Sequence, residues 1–206
     1  MALLNKRSYV KKEPFRDAII LIIICEGEKR EPDYFEFFNE LTSQLKVIPV
    51  ASKEGESAPN HLLSNANDAI EKHNSDNGDY ELWFVLDVDR WRKHIHTLQA
   101  ETSTKNEWNI AISNPCFEVW LYNHFTDKLP DFKVINSCSD WKQLIPKIRK
   151  GGFDSTKHPT LLGDAIVNSK KNYKEEGYIP EVGRTQLFRL GEKIFDKTKK
   201  ILEKYN

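Results

Sequence analysis

Glu26, Asp87 and Asp89 are the residues of this chain whose types and spacing can do chemistry together. Glu26 directly follows the apolar run Ala18 to Cys25, and Asp87 and Asp89 close the apolar run that begins at Leu82. In a strand, side chains alternate with a period of 2, so Asp87 and Asp89 share a face. If both runs are strands of a parallel sheet, the carboxylates meet at its carboxyl edge, where such sheets build their functional crevices. Anions so placed repel one another unless a cation sits among them. Oxygen ligands without a histidine pair or thiolates between them suit Mg²⁺ or Mn²⁺ rather than zinc. Gly27 permits a tight turn after Glu26. The plainer reading of Asp87 and Asp89 is an Asp-containing turn after a strand.

A second tier of residues surrounds this set. Glu31 falls at the start of the helix expected after Gly27, and Glu118 falls in the first turn of the helix expected after Asn114-Pro115. Both suit additional metal ligands, and both are equally explained by the stabilisation that helix N-termini give carboxylates. Lys29 and Lys157 are candidates to meet charge developing on a phosphate, against the reading of ordinary surface lysines. His158 is a candidate general base, or simply an exposed loop histidine. Cys25 and Cys116 are close enough in sequence to line the site wall, where small buried hydrophobes explain them as well. Trp91, just past Asp89, is the tryptophan best placed to meet a base, against the reading of core packing.

The elements that must position these residues follow from periodicity. The β-branched run Ala18 to Cys25 predicts a strand covered on both faces. Pro32 in a first turn, with Tyr34, Phe37, Phe38, Leu41 and Leu45 at helical spacing, predicts a helix. Val47 to Ala51 predicts a second strand. After the loop from Lys53 to Pro59, Leu62, Ala66, Ala69, Ile70 and His73 predict a second helix, broken by the turn at Asp76 to Asp79. The third strand is Leu82 to Asp89, and Trp91, Ile95 and Leu98 mark the helix after it. Ile110 to Ile112 predicts a fourth strand, with Asn114 and Pro115 as cap and first residue of a helix bearing Phe117, Leu121, His124 and Phe125. Beyond Pro130, helices are expected near 140–150, 159–174 and 184–205. The fold class is therefore α/β, a mostly parallel four-stranded sheet flanked by helices, with a C-terminal helical appendage. The expected organisation is a basic tail at 1–16, an α/β core at 17–126 and a helical region at 127–206 packed on it.

Composition narrows the setting. Three cysteines without a CxxC pair make a poor disulfide or zinc framework, which points to a reducing cytoplasm. The longest apolar run is far below the roughly 20 residues of a membrane helix, and the N-terminus lacks the pattern of a cleaved leader, so no membrane partner is expected. Lys+Arg and Asp+Glu balance at 31 each, yet residues 1–140 carry 16 basic and 23 acidic residues, and 141–206 carry 15 and 8. An acidic site beside a basic surface that draws in phosphates has this distribution, as does a Lys-rich soluble helix. Lys142, Lys147, Arg149, Lys150 and Lys157 are the candidate nucleic-acid contacts.

Three segments, taken in order, resemble the RloB family: Cys25 to Glu31, the strand end Leu86 to Asp89, and Ile112 to Leu121. The family's pattern is an apolar strand ending in EGEKTE, an Asp-x-Asp strand end and a SNPCFE-[LV]-WL helix. The resemblance runs from about Ile19 to Phe125, and Arg30 departs from it where threonine is usual. RloB proteins are placed among Toprim-like proteins, whose relatives include primases, topoisomerases and the overcoming-lysogenization-defect nucleases. The resemblance implies a Toprim-like core, with Glu26, Asp87 and Asp89 holding Mg²⁺ (or Mn²⁺) beside a phosphodiester, Glu31 and Glu118 as further ligands, and Lys29 or Lys157 meeting the phosphate charge. It further implies a metal-dependent endonuclease acting on RNA, including tRNA, or on DNA, in antiviral defence by abortive infection beside an ATPase partner. The competing expectation is a non-catalytic nucleic-acid- or partner-binding subunit of an ATPase-controlled complex. Primase or topoisomerase chemistry lacks its zinc-binding segment and its tyrosine motif here.

Overall fold

A computed structural model describes residues 18–52, 59–73, 80–88 and 95–205. The expected basic tail, Asp89, Trp91 and residues 53–58 and 74–79, where a loop and a turn are expected, lie outside the described residues. β1 (Ile19–Cys25), β2 (Leu45–Ala51), β3 (Tyr80–Asp87) and β4 (Trp108–Asn114) run parallel in the order β2-β1-β3-β4. β1 is central and its residues from Leu21 to Cys25 are almost fully buried, which explains why it reads as a continuous apolar run rather than an alternating one.

The period of 2 divides these side chains between two cores. Ile22, Ile24, Leu82, Phe84 and Leu86 face α2 (Pro59–His73) and α3 (Ile95–Thr102). Leu21, Ile23, Cys25, Trp83 and Val85 face the other side. There they meet α1 (Arg30–Glu36), α4 (Glu118–Asn123), α5 (Cys138–Ile148), α6 (Leu162–Lys171) and α7 (Leu187–Leu202). The molecule is thus a mixed α/β protein with a mostly parallel sheet between helices, compatible with a Toprim-like α/β fold. Among the described residues no helix is long and apolar enough to cross a membrane.

Four elements differ from the sequence expectation. α1 stops at Glu36 instead of running to Leu45; Glu40 adopts a positive φ of 66°, and Leu45 opens β2 opposite Ile19. The aromatic spacing that suggested a longer helix is satisfied by one turn beyond α1 folded under the sheet. Asn114 ends β4 rather than capping a helix, and its side-chain amide donates to the Pro180 carbonyl at 2.7 Å. α4 begins later, at Glu118. The C-terminal region is not purely helical: Arg184–Thr185 forms β7, antiparallel to β4 at the sheet edge, and the pair β5 (Glu175–Glu176) and β6 (Ile179–Pro180) precedes it.

Phe84 tests the sheet's interior. It is 0% exposed and packs its ring against Trp108, with centroids 5.5 Å apart. Phe84→Ala is expected to cost about 3–5 kcal/mol, read as a fall in the urea midpoint at constant slope. A cost below about 1 kcal/mol would contradict a β3 buried on both faces.

Candidate metal centre

Register fixes the first two acids. Cys25 pairs with Val85, and the Glu26 amide then donates to the Val85 carbonyl at 3.2 Å, carrying the ladder one residue past the strand. This places Glu26 beside the end of β3, where its Oε2 accepts the Asp87 backbone N–H at 2.9 Å. Asp87 in turn pairs with Ser113 of β4, so the segment leaving β4 delivers Cys116 and Glu118 to the same edge. Adjacent parallel strands thus contribute one group each to one crevice.

Glu31 arrives from α1. Its carboxylate folds back over Gly27, and a Cβ built on Gly27 would lie 2.0 Å from Glu31 Oε2. Gly27 is needed here because an acid occupies the space of its side chain, more than for the turn it makes. Glu26, Glu31 and Glu118 are all buried, at 6%, 6% and 3% exposure. Burial is the main force raising the Glu31 carboxyl above its ordinary range; Glu118 adds to it, while the residue's own backbone N–H, Arg30 and Lys142 oppose it.

Asp87 feels the crowding most. Its carboxyl is pushed well above the ordinary range, first by desolvation and then by Glu26, Glu31, Glu118 and Cys138. Asp87 is half-buried at the strand end, while Glu26, Glu31 and Glu118 are buried. Carboxylates crowded around Asp87 in this way are an arrangement that a bound cation relieves.

Two participants were not legible as site residues. Arg30, the departure from the family pattern, forms an ion pair with Glu118, its guanidinium half exposed and the carboxylate buried. Cys138, the first residue of α5, comes against Asp87 and Cys116. The Cys116 thiol faces both the Cys138 thiol and Glu118, and these contacts with burial hold its ionisation far above the ordinary range. Cys25, the last residue of β1, is buried in the core on the α1 side of the sheet, and burial foremost, with Glu31, raises its thiol.

Of the other candidates, Lys142 is near enough to act on the Glu31 carboxyl. Lys29 is exposed just before α1. Lys157 pairs with Asp154 at 2.8 Å in the turn before the 3₁₀ segment His158–Leu161. His158 is buried rather than exposed; its Nδ1 accepts the Asp154 N–H at 2.8 Å and its ring packs on Phe125 and Phe153. That is a structural histidine, with the acceptor a general base needs already engaged at Nδ1. Lys142, Lys147, Arg149 and Lys150 are exposed, but only the first two lie within α5; Arg149 is its C-cap and Lys150 follows.

A family model described as RloB-like protein matches residues 21–194. No curated protein and no solved structure matches the chain.

Proposed function

The chain belongs to the RloB-like family, and from that membership and its convergent carboxylates we propose that it is a divalent-metal-dependent nuclease hydrolysing phosphodiester bonds of RNA, including tRNA, or DNA. The observation that carries this reading is the crowding of buried acids at the sheet edge, where burial and the neighbouring Glu26, Glu31 and Glu118 push the Asp87 carboxyl well above its ordinary range. The donor set is carboxylate oxygen, which fits Mg²⁺ or Mn²⁺. Glu26, Asp87 and Glu31 would hold the ion, with Asp89 as a further ligand from beyond the described residues. When bound, the ion supplies Lewis-acid polarisation of the scissile phosphate and a water of lowered pKa.

The chain's own groups do the rest. The Asp87 N–H holds the Glu26 carboxylate in place, and Gly27 leaves room for Glu31 to turn inward. Arg30 lies at the rim with its guanidinium half exposed, able to meet a phosphate oxygen while Glu118 anchors it. Lys29 stands on the same segment as a second cation. By family resemblance, the role is antiviral defence by abortive infection under the control of an ATPase partner, and the isolated protein is then quiescent or weak.

A second reading has its own support. Glu26 already accepts a backbone N–H and Glu118 already holds Arg30, as in a subunit that uses its acids structurally to present a binding surface. Incubating the protein, with and without its partner, with tRNA, single-stranded DNA and duplex DNA in Mg²⁺, Mn²⁺ or EDTA separates the two. EDTA-sensitive scission is expected on one of them; retention of substrate without scission in every combination favours the binding subunit.

Gly27→Ala gives a finer check. The added Cβ displaces the Glu31 carboxylate, and Mn²⁺ affinity measured by calorimetry is expected to fall about 10- to 100-fold, the scale seen when groups supporting a metal site are disturbed. Unchanged Mn²⁺ affinity with the fold intact would remove Glu31 from the ligand set.

A further inference from the structure

We infer that Asp87, Cys116 and Cys138 form a pocket for one thiophilic divalent cation of the zinc class, sharing Asp87 with the carboxylate centre. The carboxylate oxygen and both sulfurs lie within 4.8 Å of one another. They come from three separate places in the fold: the end of β3, the segment between β4 and α4, and the first residue of α5. No local sequence pattern brings them together; Trp141 and Ile145, on the buried face of α5, dock that helix so that its first residue reaches the sheet edge.

Geometry and softness both favour such an ion. With Zn–S near 2.3 Å and Zn–O near 2.0–2.2 Å, ligand atoms around a tetrahedral ion stand about 3.5–3.8 Å apart, so atoms that lie within 4.8 Å of one another need to draw together by no more than about 1.3 Å. Thiolates select zinc-class ions over Mg²⁺, which leaves Glu26 and Glu31 as the harder half of the same crevice. Glu118, facing Cys116, is a candidate for the fourth position once it releases Arg30. Cys138 is only half buried, which gives an ion a way in from solvent.

The inference stands apart from the nuclease reading, because binding at the thiols requires no cleavage. The test uses the whole, fully reduced protein under anaerobic conditions, titrated with Co²⁺ as the spectroscopic probe. The expected result is one equivalent bound with a tetrahedral visible spectrum and a sulfur-to-cobalt charge-transfer band whose intensity corresponds to two thiolates. Zn²⁺ should displace it and excess Mg²⁺ should not. Cys116→Ser and Cys138→Ser should each halve the charge-transfer intensity or abolish tight binding. If either variant fails to fold, the wild-type spectrum alone decides. A weak octahedral spectrum without the sulfur band would overturn the inference, as would a Cys116–Cys138 disulfide persisting in the reduced protein by mass spectrometry. Absence of nuclease activity would leave the cobalt spectrum unchanged, so the two readings fail separately.

Discussion

Asp87→Asn is expected to remove divalent-dependent cleavage, by at least about 10²-fold, while making the metal-free protein more stable. Disturbing outer groups of a metal site alone costs about 10- to 100-fold, and a ligand at the centre should cost no less. The gain in stability follows from linkage. Burial and three neighbouring glutamates hold the Asp87 carboxyl well above its ordinary 3.8, so the folded state keeps a proton that the unfolded state has released. Stability contributed by this group is therefore present below 3.8 and declines as pH rises from there through the folded value. Asparagine carries no such penalty. The difference in melting temperature between Asp87→Asn and the parent, in EDTA, should grow with pH over that interval and then level. At this size 1 kcal/mol moves the midpoint by about 2–4 °C.

His124 makes the comparison necessary. Its Nδ1 donates to the Trp120 carbonyl and its Nε2 accepts from Tyr34, and burial depresses its pKa from 6.5 to about 3. Its contribution is present above 6.5 and lost as pH falls, opposite in sign to that of Asp87. It is common to both proteins and cancels in the difference. Glu26→Gln should behave like Asp87→Asn, since the amide oxygen can still accept the Asp87 N–H. Loss of stability at every pH in both variants would assign these acids to the scaffold.

Reversing Lys147, Arg149 and Lys150 to glutamate is expected to weaken nucleic-acid binding by several orders of magnitude at low salt. All three are exposed at the C-terminal end of α5, while the N-terminal residue of the same helix, Cys138, touches the acid cluster. At 1.5 Å per residue, Lys147 stands about 14 Å from Cys138 along the axis, near enough for one bound strand to reach both. A carboxylate site repels phosphates, so steering has to come from such a neighbouring surface. With three contacts removed, the slope of log K against log salt should flatten by about 2 for a single strand. The experiment uses an Asp87→Asn background to prevent cleavage, and Mn²⁺ binding, measured with the reversal in a chain that keeps Asp87, should be untouched. An unchanged salt slope would assign this surface to solubility or to a protein partner.

The sequence by itself determined the layers of the fold and the place of the first acids. A β-branched run such as Ile19 to Cys25 is buried on both faces whatever its neighbours, and a strand's end is visible where the apolar run stops, which located Glu26 and Asp87. Glu31 and Glu118 stood out as acids at expected helix starts, which left the ligand and capping readings even, and both are buried at the crevice. Periodicity was a poorer guide where two elements share one apolar pattern: Tyr34 and Phe38 belong to α1 and the turn after it, and Leu45 to β2. A two-residue strand such as β7 has no period to read.

Only the tertiary structure decided what each buried face meets. Arg30 and Glu118 pair across 88 residues of chain, and Cys138 reaches Asp87 because the apolar side of α5 docks on the core. Local pattern records that a side chain is buried or polar; it carries no information about a partner supplied by another element. The crevice is therefore half legible, its strand-end carboxylates and Cys116 written in the pattern of runs and turns, and its Arg30–Glu118 pair and the Cys138 thiol placed by packing alone.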